Sequence, residues 1–401
     1  MAEKEKQVIA AGLDAGSRTT RLVVCALERG RMRFLGSAAV ESQGWFRGRI
    51  ADQKAVTDSI VAALRAAESA SGVSVGSVVA GIGGVAVRGA NARGAMELGY
   101  LREVDQSHVN RVLNHASRVQ MQEDRMLLQL FPQDFVVDGH PGYRDPRKMM
   151  AARLEVNVHL ITASEQEHTA LVGAINQAHL LVEETVFEAL AACYAAVRPE
   201  ERRQGIAVVD IGAHSTEMVA YYGDAMHLAT TAPICGDHFT ADLAQALRLS
   251  FDEAETVKLE MGGAMASACS PNTWVELPTP ENCEPRETTS TSVNQVLEAR
   301  GEDLFHFVHS ELARVGMEHA LLGGVFLTGA AARLPDLCDV AARVLQCQTR
   351  YGLTVGVEGW PDRLNNPEWC VAAGLAMYSA KLKVQTERQR AAAGWLGKIL
   401  K

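Results

Sequence analysis

Apolar residues fall in two rhythms along this chain. From Gln7 to Asp14 they run nearly unbroken for the length of a strand. A turn of small residues follows, and a second apolar run covers Thr20–Leu27. The same grammar returns at Gly205–Asp210, with a small-residue turn at Ile211–Thr216 and a partner strand at Glu217–Tyr222. Each turn has an aspartate at its mouth, Asp14 or Asp210. Two hairpins of one design, one in each half of the chain, predict two related lobes. Between them apolar residues recur at i, i+3 and i+4 over Ala55–Ala67, Glu165–Ala178 and Phe187–Ala196, the spacing of helices. Strands alternating with helices give an α/β class. Residues 264–292 break both rhythms, being rich in Ser, Thr, Pro, Asn and Glu, and read as an exposed loop or insertion. Helical spacing resumes at Val293–Leu312, and 381–393 read as a polar, mainly basic link to a short amphipathic end.

Composition narrows the classes. A chain of 401 residues exceeds one compact domain and predicts two to four structural units. A net charge of −9 argues against nucleic acid as a partner, because phosphate backbones are held by clustered Lys and Arg. The eight cysteines are scattered, with no CxxC pair and no histidine cluster at zinc spacing, which fits free thiols in a reducing cytosol. No apolar stretch follows the charged N-terminus, so no signal peptide is expected. No window approaches the run of about 18 apolar residues that a membrane-spanning helix needs, so any membrane contact should be peripheral.

The hairpin turns carry the candidate chemistry. A polyphosphate needs backbone N–H donors brought close, which small residues permit, and a metal ion near an acidic group. In the first turn Gly16 allows the approach, Ser17 and Thr19 supply hydroxyls, and Asp14 faces a hydrated Mg²⁺. The second turn repeats the layout with Asp210, Gly212, Ser215 and Thr216. One such turn after a strand is usually only a turn; two led by aspartates are harder to dismiss.

At this point the sequence resembles a known family. The paired turns look like the phosphate loops of the actin/Hsp70/sugar-kinase superfamily, and the stretch between them resembles the cell-division protein FtsA. Val78-Val79-Ala80-Gly81-Ile82-Gly83-Gly84 with Val87-Arg88-Gly89 looks like the start of the small 1C subdomain of that family. Phe131 to Gly139, continuing through Arg144-Asp145-Pro146 to Arg153–His159, matches it more closely still. Gly236-Asp237-His238, Thr240, Asp242, Glu253-Ala254-Glu255, Lys258 and Leu327-Thr328-Gly329 continue the match.

The resemblance implies an actin-like two-lobed α/β fold with an FtsA-type 1C (SHS2) subdomain. Its divisions would be 1A at 1–85 and 165–203, 1C at 86–164, 2A at 204–228 and 319–380, and 2B at 229–318. A link at 381–393 and a membrane-targeting helix at 394–401 would complete the chain. It implies ATP with Mg²⁺ as ligand, Asp14 and Asp210 meeting the metal through water across one cleft. Arg18 would join Ser17 and Thr19 on the first hairpin, and His214 would join Ser215 and Thr216 on the second. Gly236 and Asp237 would lie beside the phosphates, Glu255 and Lys258 beside ribose and base, and Gly329, Ala330 and Ala331 against the base. The chain departs from the family pattern Asp-Ile-Gly-Gly-Gly-Thr-Thr-Asp, with Ala213 and His214 for two glycines and Glu217 for the last aspartate. Ala330 and Ala331 replace glycines of the adenosine loop, and Thr19 stands for a lysine. These changes imply nucleotide binding with at most very weak ATPase activity.

The end of the chain has its own pattern. At about 100° per residue Trp395, Leu396, Ile399 and Leu400 share one arc, with Lys398 and Lys401 opposite, as in a helix lying in the headgroup plane of an anionic membrane. Burying four such side chains is worth roughly 6–10 kcal/mol, and ordering the segment costs a similar amount. One copy should therefore bind weakly and a filament firmly. The resemblance implies a peripheral protein on the cytoplasmic face of the inner membrane at the division septum. It would polymerise head to tail, hold the C-terminal peptide of the tubulin-like GTPase FtsZ and recruit later division proteins. Glu298, Arg300 and Asp303 on the 2B helix are the candidates for that peptide. Two other readings share the scaffold, a type IV pilus PilM-like protein and a sugar-kinase-type phosphotransferase; the amphipathic end opposes the first, and no acidic motif recommends the second.

Overall fold

The two hairpins become the centres of two sheets with one topology. The computed structural model describes residues 8–118, 123–223, 225–270, 273–279 and 285–399, with side chains as far as residue 387. The chain divides into two compact units. One comprises residues up to Ile82, Gln166–Arg198 and the chain from Gly352; the other comprises Gly83–Glu165 and Pro199–Tyr351.

In the first unit Val8–Ala15, Thr19–Glu28 and Arg31–Glu41 form an antiparallel meander. Ser77–Ile82 and then Leu181–Phe187 add in parallel on the Val8–Ala15 side, and Val357–Glu358 closes the other edge. Val8–Ala15 is buried on both faces, which is why it reads as a continuous apolar run rather than an alternation. The helix Cys370–Ile399 lies so close against it that a Cβ on Gly12 would fall 2.2 Å from the Ala372 carbonyl oxygen. Gly374 of the same helix meets the helix Glu188–Ala196 as tightly, with Ala191 O 1.8 Å from where its Cβ would stand. Segment 352–380, expected in 2A, thus packs in the first unit: Ala372 and Ala376 share a core with Ala10, Val23 and Cys25. The stretch 381–393, expected as a link, is helical and continuous with what precedes it. Lys383 fastens it by donating to the Ile9 carbonyl at 2.7 Å and pairing with Glu183 at 2.8 Å.

The second unit repeats the plan. Ala225–Ala232, Thr216–Tyr222 and Ile206–Ile211 are antiparallel neighbours, and Gly324–Thr328 and Thr349–Tyr351 continue in parallel. The long helix Ser290–Arg314 buries Val293, Leu297, Leu304, Phe305, Val308 and Leu312, an i, i+4, i+7 stripe that carries the core between this sheet and the helix Leu337–Leu345. The described parts of 264–292 hold more regular structure than their composition predicts. Within them Trp274–Leu277 and Arg286–Thr289 pair as a short antiparallel ribbon, with Val275 and Leu277 buried in the same core. Two alternating apolar residues are too short a pattern to stand out from a polar background.

Within this unit lies a four-stranded antiparallel sheet, ordered Val87–Glu103, Met150–Ser164, Arg125–Val137 and His140–Tyr143. The helix Gln106–Arg118 covers one face through Val109, Val112 and Ala116. The opposite face is polar at one end, where Glu155 is held by Arg93 and, at 3.0 Å, by Arg153. At the other end it docks on the edge strand Ala225–Ala232. Gln133 Nε2 donates to the Met226 carbonyl at 2.9 Å, and Arg144 donates to that of Gly223. Gly89 comes so close that a Cβ there would lie 2.1 Å from Ala229 O. One carbonyl of this edge strand, that of Met226, thereby gains a donor, and that of Ala229 is covered. His159 is buried at this junction. Its Nδ1 donates to Asn91 Oδ1 at 2.7 Å, while Nε2 has no partner among the described residues. Burial pushes its pKa down to about 4, so the ring is neutral.

Candidate nucleotide-binding loops

The first loop is fixed from behind. Residues Gly16–Arg18 join two strands in tight register, with Asp14 opposite Arg21. Ser42, at the end of the meander, clasps the turn: its Oγ donates to the Gly16 carbonyl at 2.6 Å and its N–H donates to the Arg18 carbonyl at 3.0 Å. The Thr20 hydroxyl lies 2.7 Å from the same Oγ. Such a clasp holds the backbone of residues 16–18 in one shape while leaving the Ser17 and Thr19 side chains on the loop. Asp14 is buried, and Arg21 Nη1 stands 3.9 Å from its Oδ2. Arg21 is in turn paired with Glu368 at 3.1 Å and lies over the ring of Trp369, yet its Nε is buried with no acceptor among the described residues. Neither Arg21 nor Ser42 is singled out by the motif. The signal for Arg21 is the hairpin register, since seven positions after Asp14 puts a cation across the ladder from it.

The second loop gathers most of the residues that the sequence assigned to it. Asp210 is buried and accepts from the Thr328 hydroxyl at 2.6 Å. The helix Gly236–Leu247 begins against the loop, its first two N–H groups donating to the carbonyls of Gly212 and Ala213, both at 2.9 Å. Asp237, also at that helix start, has Oδ2 3.3 Å from His214 Nε2. On the next helix, Phe251–Met261, Lys258 donates to Gly236 O at 3.2 Å and Thr240 Oγ1 at 2.7 Å, and pairs with Glu255 at 2.7 Å. Gly329 has φ +88°, and a Cβ there would lie 2.4 Å from Ile211 O. Ala331 Cβ is 3.0 Å from the place of a Gly236 Cβ. Asp210, Gly212, His214, Gly236, Asp237, Glu255, Lys258, Gly329 and Ala331 are thus one connected cluster.

The altered glycines fit this loop. Gly212, Ala213 and His214 all have negative φ, and Ala330 is right-handed at φ −68°, so side chains there cost no backbone strain. The one position of the adenosine loop that needs the left-handed region, 329, keeps its glycine. Thr216 is fully buried, and its hydroxyl has no partner among the described residues. An unspent hydroxyl on the second loop is a group that a phosphate-bearing ligand would satisfy. The residues of the second loop therefore fit a phosphate-bearing ligand, with Asp210 as a carboxylate beside it.

Glu298 and Arg300 are engaged with neighbouring elements, whereas Asp303 is exposed. Arg300 grips both oxygens of Asp242 at 2.6 and 3.0 Å and pairs with Asp303 at 3.3 Å. Glu298 accepts from the Ala266 N–H at 2.8 Å and from Arg343 at 2.7 Å. The Asp242 and Arg343 contacts join the long helix to its neighbours. Trp395, Leu396, Lys398 and Ile399 lie on the last turns of the helix Cys370–Ile399, but their side chains, with all of Leu400 and Lys401, lie outside the described residues. Among the described residues no helix is long and apolar enough to cross a membrane.

Two sheets of one topology, each with a phosphate-type hairpin, and a helix-backed antiparallel sheet inserted after Ile82 define an actin-like protein with an inserted SHS2 subdomain. Solved structures agree on the fold. The PilM–PilN type IV pilus biogenesis complex superposes with a TM-score of 0.68 at 19% identity, over 93% of this chain and 99% of the other. MreB5 of Spiroplasma citri bound to ADP gives 0.58 at 13% identity, over 94% and 98%. The model of the SHS2 domain inserted in FtsA matches residues 84–162, and that of cell division protein FtsA matches 207–374. Cell division protein FtsA of Borreliella burgdorferi is 30% identical over 92% of this chain and 90% of its own length. That of Pseudomonas aeruginosa is 29% identical over 94% and 91%. The chain belongs to the FtsA family of cell division proteins.

Proposed function

We propose that the protein is a nucleotide-dependent adaptor of cell division. It binds ATP with Mg²⁺ through its two phosphate hairpins and polymerises head to tail. It lies peripherally on the cytoplasmic face of the cell membrane at the septum, holds the C-terminal peptide of FtsZ there and recruits later division proteins. The observation that carries the nucleotide part is the Thr216 hydroxyl, buried without a partner among the described residues where the second loop enters its strand, opposite Ile211. A polar atom in that position costs about 1–3 kcal/mol unless something pairs with it.

The residues have separable tasks. The Gly16 and Gly212 turns offer backbone N–H groups, and Ser17, Thr19, Ser215 and Thr216 offer hydroxyls. Lys258 and Glu255 present a paired cation and carboxylate at Gly236, suited to the hydroxyl and ring edges of a nucleoside. Mg²⁺ when bound would supply the positive charge that lets a carboxylate stand beside a polyphosphate. No residue of the cluster is a free general base, since Asp210 is held by Thr328 and Asp237 faces His214. This supports a binding protein with at most very slow turnover.

The membrane part rests on the arc of Trp395, Leu396, Ile399 and Leu400 opposite Lys398 and Lys401. Titration calorimetry with ATP–Mg²⁺ tests the first part, and absence of heat at millimolar nucleotide would end it. Co-sedimentation with anionic liposomes, with and without residues 394–401, tests the second; equal sedimentation of both forms would remove the anchor.

A further inference from the structure

The SHS2 subdomain begins at Gly84, and the backbone of that one residue is held from two sides. Its N–H donates to Glu217 Oε1 at 2.6 Å, and its carbonyl accepts from the Thr231 hydroxyl at 3.1 Å. Glu217 and Thr231 are themselves direct partners across the ladder between Thr216–Tyr222 and Ala225–Ala232. Glu217 is 1% exposed, and it follows immediately on Thr216, whose hydroxyl is unspent. Ser215 closes the gap from the loop side, with its Cβ 3.8 Å from the place of a Gly84 Cβ. Gly84 has φ +69°, so the clasp sits on a left-handed residue where most side chains would add strain.

We propose that Glu217 and Thr231 form the joint through which occupancy of the second phosphate loop sets the attachment of the SHS2 subdomain. The inference rests on the reading that this loop takes a nucleotide phosphate. A phosphate at Ser215 and Thr216 brings negative charge beside a buried carboxylate, where the local dielectric screens little. Like charges press Glu217 away from the loop and onto the dipole of the Gly84 peptide, tightening the clasp; without the ligand it relaxes. From Gly84 the path is short. One 3₁₀ turn, Gly84–Ala86, leads into the strand Val87–Glu103, which carries Gly89 at its contact with Ala229 O. A ligand can shift this equilibrium only by acting differently on its two states, and Glu217 is the group that meets both the loop and the subdomain. The glutamate standing where the family pattern has aspartate is one methylene longer, which is the reach this contact uses.

Hydrogen–deuterium exchange on the full-length protein tests the joint, followed in the segment 83–92 with and without ATP–Mg²⁺, with nucleotide affinity measured in parallel by calorimetry. In the unmodified protein ATP should slow exchange in that segment by about fivefold or more. Glu217→Ala and Thr231→Val should still bind ATP, the former at least as tightly because a like charge is gone, and show no such slowing. Glu217→Gln, which keeps an acceptor oxygen but no charge, should keep the ATP-free protection and lose the response. Thr231→Val is close to isosteric and guards against a misfolded Glu217 variant. Equal ATP-dependent slowing in the unmodified protein and in Thr231→Val or Glu217→Ala overturns the joint while leaving nucleotide binding intact. ATP binding without any slowing in the unmodified protein does the same. Failure of the unmodified protein to bind ATP overturns both.

Discussion

Arg21 faces Asp14 across the first hairpin, its Nη1 3.9 Å from the Asp14 carboxylate, while the Arg21 Nε is buried without an acceptor among the described residues. A cation placed there offsets the charge of Asp14 and keeps one donor in hand for an anionic ligand. Arg21→Met, which preserves the stem over Trp369, should weaken ATP–Mg²⁺ binding about tenfold, a loss near 1.4 kcal/mol, typical of a charge-assisted hydrogen bond. Calorimetry on the two proteins reads it. Unchanged affinity would assign Arg21 to the Glu368 pair alone.

Two glycines of the first unit should respond oppositely to an added methyl. Gly12→Ala puts a Cβ 2.2 Å from Ala372 O and 2.3 Å from Ala376 N, so the helix must move off the strand. It should destabilise the protein by about 1–3 kcal/mol. Gly76→Ala meets nothing within 4 Å and has no positive φ. It should be neutral or stabilise by about 0.4–1 kcal/mol through the unfolded chain. Urea unfolding midpoints distinguish the two.

His159 makes stability depend on acidity. Its folded pKa, about 4, lies below the ordinary value of 6.5 because the ring is buried at the junction of the SHS2 sheet with Ala225–Ala232. Between those values the unfolded chain takes up a proton that the native protein refuses. Stability is therefore intact above pH 6.5 and falls as pH drops towards 4, by about 3 kcal/mol from this group. His159→Gln, whose side chain carries no titrating group, should flatten that part of the profile. Denaturation at a series of pH values would show whether the slope between 6.5 and 4 is the same in both proteins.

Thiol reactivity should follow depth. Burial pushes Cys25 up to about 12 and Cys235 up to about 11. Neither forms much thiolate at pH 8, the reactive species. Iodoacetamide should leave both unlabelled in the native protein and label them in urea. Peptide mass mapping checks this, and rapid native labelling of Cys235 would mean that the Gly236–Leu247 helix start opens readily.

Much of this was legible in the chain because the two hairpins advertise themselves through unbroken apolar runs ending in aspartate. Asp14, Asp210, Gly212, Gly236, Lys258 and Gly329 came from spacing and resemblance, and the second-loop members do meet in space. What stayed hidden depends on partners far along the chain. Ser42 is 26 residues from Gly16, and the Arg21–Glu368 pair spans 347. Glu298, Arg300 and Asp303 read as a presentable charged face because nothing in a helical period reveals that Asp242 and Arg343 are waiting for two of them. The Ala213 and His214 replacements look disruptive in a motif; the backbone shows that only Gly329 carried a conformational demand.

The docking of the SHS2 sheet on Ala225–Ala232 has a consequence for how deletions should be understood. Excising residues 84–162 would bare the carbonyls of Met226 and Ala229 along a strand that has a partner on its other side only. Such a strand recruits strands from other molecules. A deletion protein that clumps would then be reporting a newly adhesive sheet margin as much as the loss of the subdomain itself. Substitutions of the exposed Arg93 and Arg153 at the polar end of that sheet leave the margin sealed and separate the two causes.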